Sequence, residues 1–600
     1  MSTKSPRWAR YTRAAVEAPT PHPTPPTPVI GRLHRWLKYH AHSIRTRLAA
    51  VEQLDEVVRH RPDIRLLPAV VATWSAAAIA ITQPERRVVA AAAGLSAIMA
   101  AAGLWWRFRR RRKAATASGS TLILAAACVL ALLVAVALQL HVAAASPIAA
   151  AAAQGEDLAL TLEVTSMPRS MDSGHGPPQV AFDAVVLQAT AHGRLLTGRM
   201  NIMVFAKQEW GGVQPGDSAV TAGKISPASS GEKAAGVLRP STEPMEVSAQ
   251  GDSSQKVVTA IRTSWVAVVH DVWGTRSLDA AGLLPGMVMG DRSGMDTSLD
   301  DSMKTVGLTH LTAVSGANCT LVLASLMLAL RTARAPRAVA VAASMLGLAG
   351  FVMVVGPDPS VLRAAVMGTI GAMAILGGRP KRIGALLSVA ILVLLLNDPW
   401  LARDYAFILS VLATLGLHLV GQRCVKWLSA LMPLWLAQAV AIPLAAQLFC
   451  SPVIVLLQAR LTVYTIPANM VVAPVIALVT TVGTIGLVMA AIAPPLAILC
   501  AGVSGVGAWW VSAVARFMSG LPAASLPWPE GVQGMLLMAL LNAAVLLALV
   551  AVVERQRASA AAGRVLAYLP ARWRRGCGFG AIVVVAGTAS MWWTAALVKL

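Results

Sequence analysis

Charged residues are scarce in this sequence. Only 13% of its 600 residues are Asp, Glu, Lys or Arg, whereas 56% are hydrophobic. A soluble globular domain normally carries about 25% charged residues. The composition therefore excludes an ordinary soluble globular protein and predicts a chain with many membrane-spanning helices.

Acidic residues are scarcer than basic ones, because 28 Asp and Glu face 51 Lys and Arg, for a net charge of +23. Such an excess would suit a nucleic-acid ligand, but most of it lies beside apolar segments, on one predicted side of the membrane. The basic segments are 1–65, 107–113, 331–337, 379–382, 423–426 and 554–575. This is the positive-inside pattern, which indicates the orientation of the chain and does not by itself indicate a ligand.

Metal-binding patterns are missing from the sequence. Its six cysteines lie in or beside apolar segments without metal-ligand spacing, so we expect buried, unreactive thiols. The only His-x-His pattern is His40-Ala41-His42, and Ser43 follows it in place of an acidic ligand. We therefore expect no catalytic metal and no cofactor. The first apolar run begins near Leu66, which is too late for a cleavable signal peptide.

The composition divides the chain into five predicted regions. They are a basic, Pro-rich cytoplasmic tail at 1–65, three transmembrane helices within 66–145, an extracytoplasmic β domain at 146–256, amphipathic or interfacial helices at 257–305, and a membrane bundle at 306–600. The first three helices are expected at 66–82, 88–106 and 121–142. Trp265 and Trp273 suit the lipid headgroup zone, which supports an interfacial position for the fourth region.

The region 146–256 is polar and rich in Gly, Pro and Ser. Alternating apolar residues predict strands at 158–164, 180–189, 198–205 and 218–225, with turns at Gly211-Gly212 and Pro215-Gly216. We predict a five-stranded barrel of the OB type. Its acidic residues outnumber its basic ones, which is a poor electrostatic match for DNA. A structural or gating role therefore stays open beside DNA contact.

The bundle predicts ten further helices, at 308–330, 338–356, 361–377, 383–397, 404–421, 428–450, 466–491, 495–518, 532–553 and 577–597. The segment 451–465 is apolar enough to be re-entrant or to lie at the membrane surface. The predicted fold is an all-α polytopic membrane protein with about 13 transmembrane helices, together with the small OB-like domain. The positive-inside pattern predicts a cytoplasmic N-terminus.

Polar residues cluster at the start of the second bundle, where they are costly unless they face protein or a water-filled path. The run Asp291-Arg292-Ser293-Gly294 suits a sharp turn. His310, Ser315, Gly316 and Asn318 enter the next helix, and Ser315 and Asn318 share a helical face because they are three residues apart. An ordinary turn and helix-packing contacts remain the alternative interpretations.

Three more polar positions lie within or beside apolar helices. Pro359 and Ser360 begin a helix that carries Arg363, whose charge must pair, snorkel or face water. Arg403-Asp404 offers a candidate partner for it. Asn469 lies between Pro467 and Pro474, and proline frees backbone carbonyls that can line a polar path. Interfacial anchoring and a simple kink are the alternatives.

Five ordered segments resemble the ComEC family of competence proteins. They are GDRSGMDTSLDDSMKTVGLTHLTAVSGAN, PSVLRAAVMG, PWLARDYAFILSVLATLGL, LAAQLFCSPVIV and VYTIPANMVVAP. The family is thought to pass single-stranded DNA through the bacterial inner membrane. Asn318 stands where the family usually has His, so a hydrogen-bonding role is expected there in place of proton transfer. Many members also carry a metallo-β-lactamase-like nuclease domain, and the sequence shows no such metal motif, so we expect a form without it.

The resemblance implies an inner-membrane channel for single-stranded DNA during natural transformation, and no enzyme. The expected partners are single-stranded DNA, the lipid bilayer, a DNA receptor outside, and a motor or single-strand-binding protein inside; a homo-oligomer stays open. The expected path residues are Asp291, Arg292, Ser293, His310, Ser315, Gly316, Asn318, Pro359, Ser360, Arg363, Asp404 and Asn469. The alternatives are a small-solute or lipid transporter and, less favoured, an intramembrane serine hydrolase using Ser315.

Overall fold

The computed structural model describes residues 65–109, 117–171, 179–229, 231–248, 253–376, 383–429 and 432–553. The predicted tail before residue 65, the basic segments at 110–113, 379–382 and 554–575, and the predicted last helix at 577–597 lie outside the described residues.

Three helices open the described chain, as the sequence predicts. They are α1 (Leu67–Ala80), α2 (Glu85–Arg109) and α3 (Ala117–Ala144), and a short helix α4 (Pro147–Ala153) follows. Trp74 of α1 stacks on Phe407 with ring centroids 5.2 Å apart, and its Nε1 donates to the carbonyl of Ala402 at 2.9 Å. This first group of helices therefore packs directly against the later bundle.

The region after α4 folds into a seven-stranded sheet. Its strands are β1 (Leu158–Val164), β2 (Arg169–Met171), β3 (Gln179–Ala191), β4 (Arg194–Lys207), β5 (Ser218–Pro227), β6 (Gly236–Pro240) and β7 (Glu246–Ser248). All four predicted strands are present. The order is β1-β3-β4-β6-β5-β7, β2 pairs with β3, and β1 also pairs with β5. Burial alternates along β1, and the enclosed core includes Phe182 stacked on the buried Trp210.

A loop of this β domain contacts the helices. Lys233 pairs with Asp398 at 2.6 Å, and the indole N–H of Trp400 donates to the carbonyl of Glu232 at 2.9 Å. The 3-10 turn Pro399–Ala402 that carries Trp400 also accepts the hydrogen bond from Trp74. The β domain therefore lies beside this turn, which connects two helices of the later bundle.

Three helices connect the β domain to the second bundle: α5 (Ser253–Trp273), α6 (Leu278–Met289) and α7 (Thr297–Val306). The prediction that Trp265 and Trp273 occupy the headgroup zone is wrong. Trp265 is completely buried, and Trp273 is partly buried and donates to the carbonyl of Ala501 at 2.9 Å. Both indoles fit because glycine at 486 and 505 leaves room beside the opposing helices.

In the described residues, the second bundle has ten further helices and a two-stranded sheet. They are α8 (Gly316–Thr332), α9 (Arg337–Val355), α10 (Pro359–Leu376), α11 (Ile383–Asn397), α12 (Tyr405–Gly416), α13 (Gln422–Ser429), α14 (Leu434–Leu457), α15 (Thr465–Met489), α16 (Pro494–Ser519) and α17 (Gly531–Val553). A π-helical turn, Leu417–Gly421, joins α12 to α13. Strand β8 (Arg460–Thr462) lies within the predicted re-entrant segment and pairs with β9 (Ser525–Pro527).

Seven helices in the described chain are long and apolar enough to cross a membrane. They are Thr121–Ala144, Arg337–Val355, Tyr405–Ser429, Leu434–Leu457, Thr465–Met489, Pro494–Ser519 and Gly531–Val550. Five more apolar helices are shorter, and they include α1, α6, α10 and α11. The protein is therefore a mostly helical membrane protein, and the described residues do not establish the predicted count of about thirteen spans.

Candidate functional site

The polar run after α6 forms a tight turn. Gly290 ends α6 with a φ of +78°, a conformation that favours glycine. Asp291 is buried, and its Oδ1 accepts hydrogen bonds from the backbone N–H of Ser293 at 3.0 Å and from its Oγ at 2.7 Å. Asp291 and Ser293 therefore stabilise a local turn. An ordinary turn is one of the alternative interpretations that the sequence allows.

Arg292 leaves this turn and reaches the segment before α8. Its Nε donates to the carbonyl of Thr312 at 3.4 Å. Surrounding protein lowers the pKa of Arg292, the charge of Arg169 on β2 acts in the same direction, and the carboxylates of Asp300 and Asp358 oppose both. Arg292 therefore connects this turn to the segment before α8.

His310 and Asn469, which are far apart in the sequence, meet in the structure. The Nδ1 atom of His310 lies 3.2 Å from the carbonyl of Gly307, and the Asn469 side chain also hydrogen-bonds to the ring. The amide nitrogen of Asn469 donates to the carbonyl of Thr465 at 2.8 Å. Crowding by protein lowers the pKa of His310, although part of the residue remains accessible to solvent. His310 therefore joins the turn before α8 to the start of α15.

The first residues of α8 and α10 lie side by side. Ser360, which follows Pro359 at the start of α10, donates from Oγ to the carbonyl of Val314 at 2.8 Å. Ser315 donates from Oγ to Oδ1 of the buried Asn318 at 3.3 Å and makes no side-chain cap to the helix backbone. Two helix N-termini, each with the positive end of its dipole, therefore meet at this point.

Arg363 on α10 points toward this meeting place. Its side chain is only 8% exposed. Nε donates to Oγ of Ser410 on α12 at 2.9 Å, and Nη1 lies 3.6 Å from the sulfur of Met367. Among the described residues, no acidic side chain forms an ion pair with it. Asp404, the expected partner, instead caps α12 by accepting from the backbone N–H of Phe407 at 2.8 Å.

Gly316 is the first residue of α8 and permits the close approach of Arg363. A Cβ at this position would lie 3.1 Å from Cβ of Ala364 and 3.5 Å from Nη2 of Arg363. The guanidinium therefore lies against the N-terminus of α8, and a Cβ at position 316 would contact Nη2 and crowd Ala364.

Arg262 on α5 belongs to the same region, although its sequence context gave no specific signal. Its Nη1 donates to the carbonyls of Val354 and Val355, at 2.9 and 3.2 Å, and so caps the C-terminus of α9. The carboxylates of Asp291 and Asp358 are near enough to act on its charge. Ser410 was also missed, and the only available signal was the need of Arg363 for an acceptor.

The structure thus assembles most of the predicted path residues around the starts of α8 and α10, while His310 and Asn469 lie at the start of α15 and Asp404 caps α12. The arrangement does not fit a serine hydrolase, because the Ser315 hydroxyl bonds Asn318 and no histidine of the described chain bonds it. The described residues hold no group of three metal-ligating side chains. What the site offers is hydrogen-bond donors and positive charge, which attract an anion.

Comparison with known proteins gives a match to one protein-family model and a similarity to one bacterial protein. Residues 287–554 match a protein-family model described as "Competence protein". The chain is also similar to ComE operon protein 3 of Bacillus subtilis (strain 168), with 26% identity over 208 residues, which is 34% of this chain. The match spans 26% of that relative's length. No solved structure matches the chain.

Proposed function

We propose that this chain is an inner-membrane channel that admits single-stranded DNA during natural transformation. The observation that carries the proposal is Arg363, a buried guanidinium without an acidic partner among the described residues, held against the N-terminus of another helix. The matched family model and the similar Bacillus protein both concern competence, and the sequence resemblance covers the same segment. The channel binds and passes the strand without breaking bonds.

The physical argument starts from the cost of the charge. An Arg at the centre of a membrane helix costs about 2.5–3.5 kcal/mol on insertion scales, which is an upper bound for Arg363 because it is the fifth residue of α10. A residue selected only to stabilise α10 would be apolar, because Leu would fill the same volume without that cost. A polyanion in transit supplies the missing counter-charge, so the residue gains a role only when DNA is present. The small number of aromatic residues, 5%, agrees with transit more than with tight binding by base stacking.

The topology is part of the proposal. The N-terminus is cytoplasmic, the chain crosses the membrane about 13 times, and the β domain lies outside. Because β1 pairs with both β3 and β5, we assign β1, β3, β4, β6 and β5 to an OB-type barrel. The β domain contacts the turn at 399–402, and the basic residues at 423–426 lie beyond the other end of α12, which supports opposite sides for them. Reporter fusions at residues 110 and 200 should give opposite signals, and matching signals would contradict this topology.

The partners follow from the same proposal. A receptor outside delivers the strand, and a motor or single-strand-binding protein inside draws it in. The lipid bilayer surrounds the helices, and an assembly of several copies is compatible with the exposed apolar helix faces.

The test is uptake of labelled DNA by cells that lack the gene and carry single variants. Arg363→Leu should preserve expression and membrane insertion while uptake collapses, and Arg363→Lys should keep part of it, because Lys retains the charge but not the fork geometry. Met373→Leu is the matched control, since Met373 lies on the same helix and is 59% exposed. Normal uptake by Arg363→Leu would remove the proposal's basis. Loss of activity in well-expressed Ser315→Ala, with Arg363→Leu unaffected, would favour the hydrolase instead.

A further inference from the structure

The N-terminus of α8 has unused hydrogen-bonding capacity. A helix begins with backbone N–H groups that have no partner inside the helix, and the N-cap side chain usually satisfies one of them. Here the N-cap Ser315 accepts no such bond from the helix backbone, and its hydroxyl donates to Asn318 instead. In the described part of the chain, the N–H of Gly316 has no recorded acceptor either. The start of α8 therefore presents free donors.

The guanidinium of Arg363 faces the same point with unused donors of its own. Nε bonds Ser410, and Nη1 meets only the sulfur of Met367, which is a weak acceptor. Nη2 has no recorded partner among the described residues, and it is the atom that lies 3.5 Å from the position of a Cβ on Gly316. More than nine-tenths of this side chain is buried.

This juxtaposition is electrostatically unfavourable without a ligand. The N-terminus of a helix carries a partial positive charge, so cations are favoured at the opposite end. A buried cation at this end raises the energy of the free protein unless an anion lies between the two. Free N–H groups at a helix start, together with an Arg fork, are the usual means of binding phosphate oxygens. Both features are present here, on two different helices.

We propose that Arg363 and the N-terminus of α8 form a binding site for a single phosphodiester group. The inference rests on the proposed function for the identity of the ligand, because the phosphodiester would belong to the DNA strand in transit. Gly316 is part of the site, since a Cβ there would occupy the space between the backbone N–H groups and Nη2. Ser410 is a positioning residue, because its hydroxyl accepts from Nε and directs Nη2 toward α8.

A site for one phosphate in a channel should bind weakly, because tight binding would stop the strand. It should accept inorganic phosphate as well as an oligonucleotide, since both present the same oxygens. It should also distinguish phosphate from chloride, because a spherical ion cannot use the Arg fork and the helix N–H groups together.

The experiment uses the full-length protein in nanodiscs of zwitterionic lipid. A Ser315→Cys variant carries a thiol beside the site at an exposed position, and its rate of modification by a charged thiol reagent reports local occupancy. Inorganic phosphate or oligothymidylate should slow the modification at least threefold, and equal ionic strength of chloride should not. The modification rate of the native cysteines is measured in the parent protein and subtracted.

Three further variants identify the residues that bind. Arg363→Met and Gly316→Ala, each combined with Ser315→Cys, should abolish the protection. Gly371→Ala is the matched control, because it lies on α10 and a Cβ there meets nothing within 4 Å. Ser410→Ala should weaken protection by phosphate without abolishing it, since Arg363 is still present.

The outcomes separate this inference from the channel itself. If Arg363→Leu abolishes DNA uptake but phosphate and oligothymidylate give no protection, the phosphate site is wrong while the channel stands. If protection in nanodiscs depends on Arg363 but DNA uptake by cells does not, the phosphate site is supported. DNA transport is then removed as the purpose of the site. Protection only in nanodiscs of anionic lipid, without phosphate or oligothymidylate, overturns the inference, because the site would then bind a headgroup.

Discussion

The packing of α5 against α16 makes a sharp prediction at Gly505. A Cβ at Gly505 would overlap the indole of Trp273, on both Nε1 and Cε2. The ring cannot move freely, because its Nε1 donates to the carbonyl of Ala501 at 2.9 Å. Gly502 lies on the same helix, and a Cβ there meets nothing within 4 Å. Gly505→Ala and Gly502→Ala are therefore chemically identical changes in opposite surroundings.

The two substitutions are expected to change the free energy of unfolding in opposite directions. Overpacking a filled interface costs about 1–3 kcal/mol, and displacing the indole forfeits a hydrogen bond of about 1 kcal/mol. Replacing a helical glycine with alanine returns up to about 1 kcal/mol. Gly505→Ala should therefore destabilise by about 2 kcal/mol in this balance, whereas Gly502→Ala should be neutral or stabilise by up to about 1 kcal/mol.

The assay is the unfolding midpoint of the purified protein in one detergent, read by tryptophan fluorescence and by far-UV circular dichroism. Trp273→Leu provides the test of cause. In that background Gly505→Ala should cost much less, giving a coupling energy of about 1–3 kcal/mol between the two positions. Equal midpoints for the two alanine variants would refute the packing. That result would restore the interfacial α5 that the sequence suggests, with Trp273 among lipid headgroups.

Further predictions concern ion pairs, pH and chemistry. Arg516 bonds Asp279 through two nitrogens, at 2.5 and 2.7 Å; Arg516→Gln should cost at most about 1 kcal/mol in unfolding experiments, and less at high salt, because the pair is partly exposed. A hydrogen bond from Ser298, and then one from Arg516, lowers the pKa of Asp296. The ionised Asp296 should therefore stabilise the protein fully above about pH 4, and this stabilisation should vanish as the pH falls through the lowered pKa. The stability of Asp296→Asn should depend less on pH in this acidic range. Arg262→Leu should destabilise by about 2 kcal/mol, measured as above, since a charged donor to two carbonyls is lost. The purified chain should leave DNA intact with zinc or manganese, and cleavage abolished by a point variant would contradict the non-enzymatic proposal.

Apolar periodicity was sufficient to predict most of the helices and strands. The predicted helix at 383–397 has the same bounds as α11, and the predicted strand at 158–164 has the same bounds as β1. The residues of these two elements are sufficient to determine where each element begins and ends. The helix predicted at 404–421 corresponds to the first part of the membrane-crossing helix Tyr405–Ser429, which contains a π-helical turn after Gly416. Gly416 packs closely on the carbonyl of Ala445 in α14, a contact that no local pattern contains.

Amphipathicity was misleading for α5. One polar face and two tryptophans are typical of a helix at a membrane surface, but the same pattern suits a helix that buries its apolar face against another helix. The choice depends on glycines more than 200 residues away, at 486 and 505. The sequence of α5 contains no information about these glycines. The burial of Trp265 could therefore not be predicted from α5 alone.

The candidate site was predictable as a set of residues but not as a set of partners. The cost of polar groups in apolar segments identified Arg363, Ser360 and Asn318 without any structure. The same argument required an acceptor for Arg363, and the neighbouring helix offered Asp404 as the more obvious candidate. The structure uses Ser410, six residues later, because Asp404 already caps its own helix. A hydroxyl satisfies one donor without neutralising the charge, which a carboxylate would have done.

The half-buried Arg262 and the buried Arg363 show how the same residue type serves different purposes. Arg262 lies at the C-terminus of α9, where the helix dipole is negative, and two backbone carbonyls accept its hydrogen bonds. Arg363 lies at the N-terminus of α8, where the dipole is positive, and a single hydroxyl oxygen accepts from it. The surroundings of Arg262 compensate its charge within the protein. Among the described residues, the surroundings of Arg363 leave its charge uncompensated at a point where two helices begin, which is the basis of our proposal that a bound anion compensates it.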